Sequence, residues 1–541
     1  MGGGCSRCCA SCVSCCYGCR RHRSYTQKMT TKTAERVWFC VMAFTFLATL
    51  ANMFLWVSSD NDADSVNAGF WKSTGVWFPF YFTFQIISYV TFAYVMLLML
   101  FGFLHMALVE RLQLHMIHKI GVVMSLVMTI TLLVFVSIRL RHLWHFVPEL
   151  LEYIGPFLQL VAVAFLTIMS WFVAGSLSTL QRRAGIPFRD ASFWYFLVLI
   201  GLYITPIFIE SPCIMTQHHE DNPPKPLLFA HRGAEEIAPE NTNISFMIAL
   251  DDYDAYGIKT DVRISFDGVP YVFHDEILTR TTNAIDTFPE NYRQPADMFT
   301  MDELRELDAG SWFARKKPFL TAWFISDEEK EEFSQQGILT MVEMFELVLA
   351  RKKSLLFDLR PPPSEHPYAT SWLNTTIDVI TTEIGLDPSE FTYWESPDGP
   401  HYVFFIQLYD NRTIQNVYND IAFESVRSAL ENNVSTNVWT VNEAWLFQYY
   451  WCAGASSVTT SSIHTLSGNN SLVWQLTPTH YLIMWILFDI ASFIWVIVVF
   501  VIQITKCRRQ KQRLRRHVSD GSTYNYQFVA MSDKPADMYA S

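Results

Sequence analysis

The chain has 541 residues, of which 50% are hydrophobic, 15% aromatic and 17% charged. An average globular domain carries about 25% charged residues, so this composition excludes a disordered or collagen-like chain and argues against an ordinary soluble enzyme. The net charge of −12 speaks against a general nucleic-acid binder, which needs positive surface to displace phosphate counterions.

Residues 1–36 precede the first apolar run and hold seven of the 11 cysteines: Cys5, Cys8, Cys9, Cys12, Cys15, Cys16 and Cys19. Two readings fit them. Overlapping C-x₂-C pairs can bind zinc, although no loop separates them to build a small domain. The reading we favour is S-acylation of a membrane-proximal patch. Gly2 within Met1–Ser6 also fits an N-myristoylation pattern.

Apolar runs follow at 37–57, 82–108, 119–138, 154–175 and 192–210, with one more at 481–504. About 20 apolar residues in a helix span a bilayer core, and lipid leaves helices as the natural way to satisfy the backbone. The first run has no cleavage site, so it reads as a span. Basic residues set the orientation. Arg20, Arg21, Arg23, Lys28, Lys32 and Arg36 lie before the first run, Arg182, Arg183 and Arg189 between the fourth and fifth, and seven Lys/Arg between 506 and 516 after the last. Six spans with both ends in the cytosol follow, with 505–541 as a cytosolic tail; Arg139 and Arg141 count weakly against this arrangement. Residues 211–480 are then extracellular. All five sequons considered, at Asn243, Asn374, Asn411, Asn433 and Asn469, fall inside that segment, Asn243 close to structured backbone. Cys213 and Cys452 are its only cysteines, and an oxidising compartment lets them pair as a disulfide. Asp489 within the last run is expected to hydrogen-bond across helices, with Gln85 or Gln159 as partner.

Residues 211–480 alternate short β-rich runs with helical stretches. Strands are predicted at 227–230, 257–262, 269–273, 355–359, 403–407, 437–441 and 456–460, with 391–395 as the least certain eighth. Such alternation over about 250 residues argues for a parallel α/β fold and a TIM-type barrel. The fold class expected is thus a six-span α-helical transmembrane bundle carrying an extracellular α/β barrel. The polar residues cluster at strand ends: His231-Arg232, Lys259 and Asp261, His274-Asp275, Asp358 and Arg360. In α/β barrels the carboxyl ends of the strands form the catalytic face. Histidines supply acid and base near neutral pH, arginine forks onto phosphate oxygens, and carboxylates hold hard cations. Together they suit hydrolysis of a phosphate ester. Taken singly, each also has a structural explanation, since Asp261 and Asp358 could cap loops. The aromatics Trp312, Phe313, Phe319, Trp323 and Phe324 in the insert at 276–338 fit core packing or a rim over the substrate.

His231 to Thr242 reads HRGAEEIAPENT, which resembles the opening block of the glycerophosphodiester phosphodiesterase family. Asp261 to Asp275, Arg280-Thr281-Thr282 and Trp439-Thr440-Val441-Asn442 are similar to its later blocks, and the overall layout resembles the multipass vertebrate branch. The resemblance implies His231 and His274 as the acid/base pair, Arg232 on the phosphate, and attack by a glycerol hydroxyl to give a cyclic phosphate. Trp439, Asn442 and Lys259 would border the substrate. It also implies a divalent cation, Ca²⁺ or Mg²⁺, held by an E-x-D pair and a third carboxylate. Asp261 and Asp358 match two ligand positions, but Lys259 stands where the first Glu belongs. Three outcomes are open: Glu240 completes the cation site, Lys259 supplies the charge itself, or the barrel is inactive and serves as a surface binding or signalling protein. The implied substrates are membrane lipids or lipid-derived diesters: glycerophosphoinositol, lysophospholipids or the anchor of glycosylphosphatidylinositol-linked proteins. A transporter with an accessory barrel is a further alternative, resting on Asp489 alone.

Overall fold

The computed structural model describes residues 33–107, 114–141, 143–184, 188–208, 223–396, 401–406, 413–417, 422–472 and 478–519. The acylation or zinc candidates Gly2, Cys5, Cys8, Cys9, Cys12, Cys15, Cys16 and Cys19, together with Cys213 and Asn411, lie outside them.

The apolar runs form helices α1 (Thr33–Ser58), α3 (Phe80–Ala107), α4 (Met116–Arg139), α5 (Leu143–Ala184) and α6 (Phe188–Ile204), with a short α2 (Ala63–Thr74) between the first two. Gly75 ends α2 in the left-handed region, its amide donating to the Trp71 carbonyl. A cap of this kind suits glycine, which has no Cβ to clash. Another long helix, Pro478–Ser519, closes the chain. Among the described residues five helices are long and apolar enough to cross a membrane; the fifth expected span, 192–210, corresponds to the shorter α6. Its 17 residues extend only about 25 Å at 1.5 Å per residue, short of a hydrocarbon core of about 30 Å. Gln85 donates to Asp60 and Gln159 to the Leu202 carbonyl, so neither is the partner expected for Asp489, whose Oδ1 has no hydrogen bond among the described residues.

The remaining chain builds one sheet from β1 (Leu227–His231), β2 (Gly257–Ile264), β3 (Pro270–Val272), β4 (Ser354–Leu359), β5 (Phe391–Glu395), β6 (Tyr402–Ile406), β7 (Thr413–Val417), β8 (Ser435–Trp439) and β9 (Ser457–Thr460). The order is β5-β6-β4-β2-β1-β9-β8-β7, with β3 antiparallel to β2. From β4 to β7 through β2, β1, β9 and β8 every pairing is parallel. Beyond β4 the expected all-parallel pattern breaks: β6 runs antiparallel to β4, and β5 antiparallel to β6. The connection between β5 and β6 is too short for a crossover, so the two can only form a hairpin. Among the described residues no ladder joins β5 to β7, and the sheet is a TIM-type half-barrel.

Strand parity decides which residues reach the site. Successive side chains alternate between the faces of a sheet. Leu228 and Ala230 of β1, Ile258 and Val262 of β2, and Leu355, Phe357 and Leu359 of β4 pack against the surrounding helices. The opposite face carries Phe229 and Leu356 in a smaller inner cluster with Val403 and Phe405. His231, Lys259, Asp261 and Asp358 share that inner parity. All eight residues of β2 and all six of β4 are buried, so these charges are enclosed and must be paired.

The half-barrel sits against the helices. The helix Ala444–Ala453 buries Tyr449 and Tyr450. Tyr449 meets Phe146 and Tyr153 of α5 edge-on at centroid distances of 5.8 and 5.4 Å. Phe146, Leu150 and Tyr153 thus belong to the main core of the half-barrel.

Candidate active site

The β1 strand delivers His231 with its Nδ1 2.6 Å from Glu235 Oε1 and 3.2 Å from Ser461 Oγ. An ionised Glu235 accepts the Nδ1 proton, which leaves Nε2 as the reactive nitrogen. Burial opposes ionisation of Glu235, but the charges of His231 and Arg232 and the hydrogen bonds from His231 and Ser461 outweigh it and hold the carboxyl at about 2. His274 has the same arrangement: its Nδ1 lies 2.7 Å from Asp275 Oδ1. Burial, followed by the positive charge of Arg232, lowers the His274 pKa against the pull of Asp261 and Asp275.

Arg232 adopts φ +53°, a strained backbone for a residue with a Cβ. Two backbone hydrogen bonds hold it there: its amide donates to the Lys259 carbonyl at 2.5 Å, and its carbonyl accepts from the Asn241 amide at 2.9 Å. The turn aims the guanidinium inward, 3.1 Å from Glu240 and with Nε 3.7 Å from Asp261 Oδ2. Arg280 clamps the opposite side, binding Glu240 through two nitrogens at 2.5 and 2.6 Å and Asp275 at 2.5 and 3.0 Å. Arg232 lies 3.8 Å from the Glu235 that holds His231, and its charge also acts on His274.

The cation ligands implied by the resemblance are brought together differently. Asp261 and Asp358 are register partners on β2 and β4. Lys259 Nζ, however, binds Asp358 Oδ2 at 2.6 Å and lies 5.4 Å from the Trp439 ring centroid, a cation–π distance. Arg360 binds Asp261 Oδ1 through Nε and Nη2 at 3.1 and 2.9 Å. Glu240 is held by two arginines. Of these carboxylate oxygens Asp261 Oδ2 is buried without a hydrogen-bond partner, and the oxygens left unpaired fall far short of the six or more a Mg²⁺ or Ca²⁺ ion needs. Among the described residues no three acidic, histidine or cysteine side chains converge to hold a metal. Four fixed positive groups also surround the place, so these residues do not fit the divalent cation.

Other expectations divide in the same way. Asn442 is held by the loop after β9: its Oδ1 accepts from the Ser461 amide at 2.9 Å. Cys452 is disulfide-bonded. Asn243, Asn374 and Asn433 are exposed and Asn469 is half-buried. In the insert, Trp312 and Phe313 are core residues packed on Phe333, whereas Phe324 is 87% exposed. Reading strand ends missed Glu235, Ser461 and the role of Arg280. Glu235 stands four residues after His231, and that spacing was the available signal.

Residues 231–373 match the model of the glycerophosphoryl diester phosphodiesterase family. The chain is 34% identical over 511 residues to human glycerophosphodiester phosphodiesterase domain-containing protein 5, covering 92% of this chain and 83% of the relative. It is 31% identical over 531 residues to the mouse glycerophosphoinositol inositolphosphodiesterase, covering 95% and 97%. Among solved structures, an Oleispira antarctica phosphodiesterase in complex with sn-glycerol-3-phosphate is 19% identical, covering 44% of this chain and 95% of that one with a TM-score of 0.31. With two relatives matched above 30% identity over 83% and 97% of their lengths, this chain belongs to the glycerophosphoryl diester phosphodiesterase family.

Proposed function

We propose that the protein is a cell-surface phosphodiesterase that hydrolyses lipid-derived glycerophosphodiesters with two histidines and fixed cationic side chains. The observation that carries this reading is the pair of carboxylate-oriented imidazoles, Glu235–His231 and Asp275–His274, flanking Arg232. His274, kept neutral by burial and Arg232, takes the proton of the attacking glycerol hydroxyl. That oxygen bonds to phosphorus, and the bond to the leaving alcohol breaks. His231 protonates the departing oxygen, with the ionised Glu235 stabilising its imidazolium. Water then opens the cyclic phosphate with the two roles reversed. Arg232 and Lys259 stabilise the charge that grows on the phosphoryl oxygens, where preorganised donors are most effective.

The cell-surface setting rests on the basic flanks of the apolar runs and on the sequons. Residues 211–480 form the outer domain in this reading, with residues 1–36 and 505–541 cytosolic and the amino terminus acylated. The substrate class follows the mouse relative named as acting on glycerophosphoinositol; lysophospholipids and glycosylphosphatidylinositol anchors share the same diester.

The test is a product assay on purified full-length protein with defined glycerophosphodiesters, with and without chelator. Removing either histidine (His231→Ala, His274→Ala) should lower kcat by roughly 10²–10⁴-fold, the usual contribution of acid/base catalysis, and chelator should leave the wild-type rate unchanged. Undiminished turnover in His231→Ala would refute the reading.

A further inference from the structure

The turn between α1 and α2 reaches into the half-barrel. Asn61, in the 3₁₀ turn Asp60–Asp62, donates from Nδ2 to the Thr440 carbonyl at 2.8 Å. Its Oδ1 accepts from the Asn442 amide at 2.7 Å. The side-chain amide thus pairs with the backbone after β8 on both its donor and acceptor sides, and it is buried. The turn itself is fixed from the helical side. Asp60 accepts from Gln85 of α3 at 2.6 Å, Ser59 Oγ pairs with Tyr81 Oη at 2.8 Å, and Tyr81 Oη donates to the Trp56 carbonyl at 2.5 Å.

The residue that Asn61 grips leads directly to the catalytic pair. Asn442 Oδ1 accepts from the Ser461 amide. Ser461 Oγ donates to Glu235 and lies 3.2 Å from His231 Nδ1. Four links, Asn61, Asn442, Ser461 and Glu235, therefore join a helix-bundle turn to the imidazole. Directed hydrogen bonds of this length fix orientation, and acid/base catalysis is sensitive to misplacement of about 1 Å. The neighbouring Asp64 supports the placement of the turn over the catalytic face. Burial, then Glu236 and Glu235, push its carboxyl well up against the pull of Arg232.

We propose that Asn61 is a positioning residue for His231, so that the catalytic constellation is complete only when the membrane-helix bundle holds the loop after β8 in place. The inference rests on the catalytic role proposed for His231. It adds that the apolar helices contribute to the chemistry and do more than anchor it.

The test uses full-length protein with Asn61→Ala, Ser461→Ala and the double variant. We expect Asn61→Ala to lower kcat by about tenfold or more, equivalent to about 1.4 kcal/mol, with KM within about twofold. The double variant should lose far less than the product of the two single losses, because both act through one path. A readout independent of turnover is the rate at which diethyl pyrocarbonate modifies His231, followed by peptide mass spectrometry; Asn61→Ala should raise it several-fold. Unchanged kcat, multiplicative losses, or a kcat loss that only tracks a fall in thermal midpoint would overturn the proposal. If wild type cleaved no glycerophosphodiester, the catalytic reading would fail, and the labelling rate would still decide whether Asn61 orients the ring.

Discussion

Lys259 shows what one residue does to a site. Its ammonium is 3% exposed and paired with Asp358, and removing one partner of a buried pair leaves the other charge uncompensated, at a cost of about 3–5 kcal/mol. Lys259→Met should therefore lower the thermal midpoint strongly, and adding Asp358→Leu should recover much of the loss. Lys259→Glu is the sharper variant. It removes a cation and adds an anion beside Asp261 and Asp358, so the thermal midpoint of Lys259→Glu should rise with millimolar Ca²⁺ or Mg²⁺ while that of wild type does not respond. Glu443 gives a pH prediction. Burial first, then the charge of Asp60, push its carboxyl up to about 7 from 4.5. A raised carboxyl contributes stability that is fully present below pH 4.5 and is lost as pH rises through about 7. Glu443→Gln should thus be more thermostable than wild type at pH 8 and similar to it at pH 4.5, as read by melting curves. That His231, Arg232, Asp261, His274 and Asp358 gather at strand ends was legible, because strand ends collect chemistry in such folds. The pairing of Lys259 with Asp358 was among none of the three outcomes left open, since sequence gives no distances.

At the scale of elements, the turn after β1 is the most constrained. Gly233 has φ +87°, and a Cβ there would collide with Ser245 Oγ and the Ser245 backbone. Gly233→Ala combines a clash with a disfavoured backbone, and it displaces Arg232. We expect a loss of about 2 kcal/mol or more, within the range of strained-site substitutions, seen as a lower denaturation midpoint and a raised KM for diester. β1, β2 and β4 were readable because strands buried on both faces form apolar runs broken only at functional positions. The hairpin direction of β5 and β6 was not, since periodicity reports which face a side chain takes and nothing about chain direction. Thr413–Val417 reads Thr-Ile-Gln-Asn-Val, and its two apolar residues, three apart, break the two-residue period that would separate β7 from loop. α6 differs from its apolar run at both ends: residues 192–210 read as the span, and the helix is Phe188–Ile204.

At the scale of the whole molecule, among the described residues the bundle meets the half-barrel at the Asn61 turn and at the aromatic seam of Phe146, Tyr153 and Tyr449. Truncating a buried aromatic costs about 3–5 kcal/mol. Tyr449→Ala should therefore destabilise the full chain and lower kcat together, whereas Asn61→Ala lowers kcat far more than stability. Comparing the two separates docking from orientation. None of this was legible from pattern, because a docking surface made of Phe, Tyr and Asn looks in sequence like any buried position.

The 42-residue helix α5 has a final consequence. Tyr153 touches the half-barrel and is also the first residue of the apolar stretch Tyr153–Gly175. The same helix thus both grips the half-barrel and carries an apolar stretch long enough to cross a membrane. In the cell-surface reading we propose, the catalytic mouth would work at one altitude, level with the headgroups, and a diester held high on a long stalk would have to bend down to meet it.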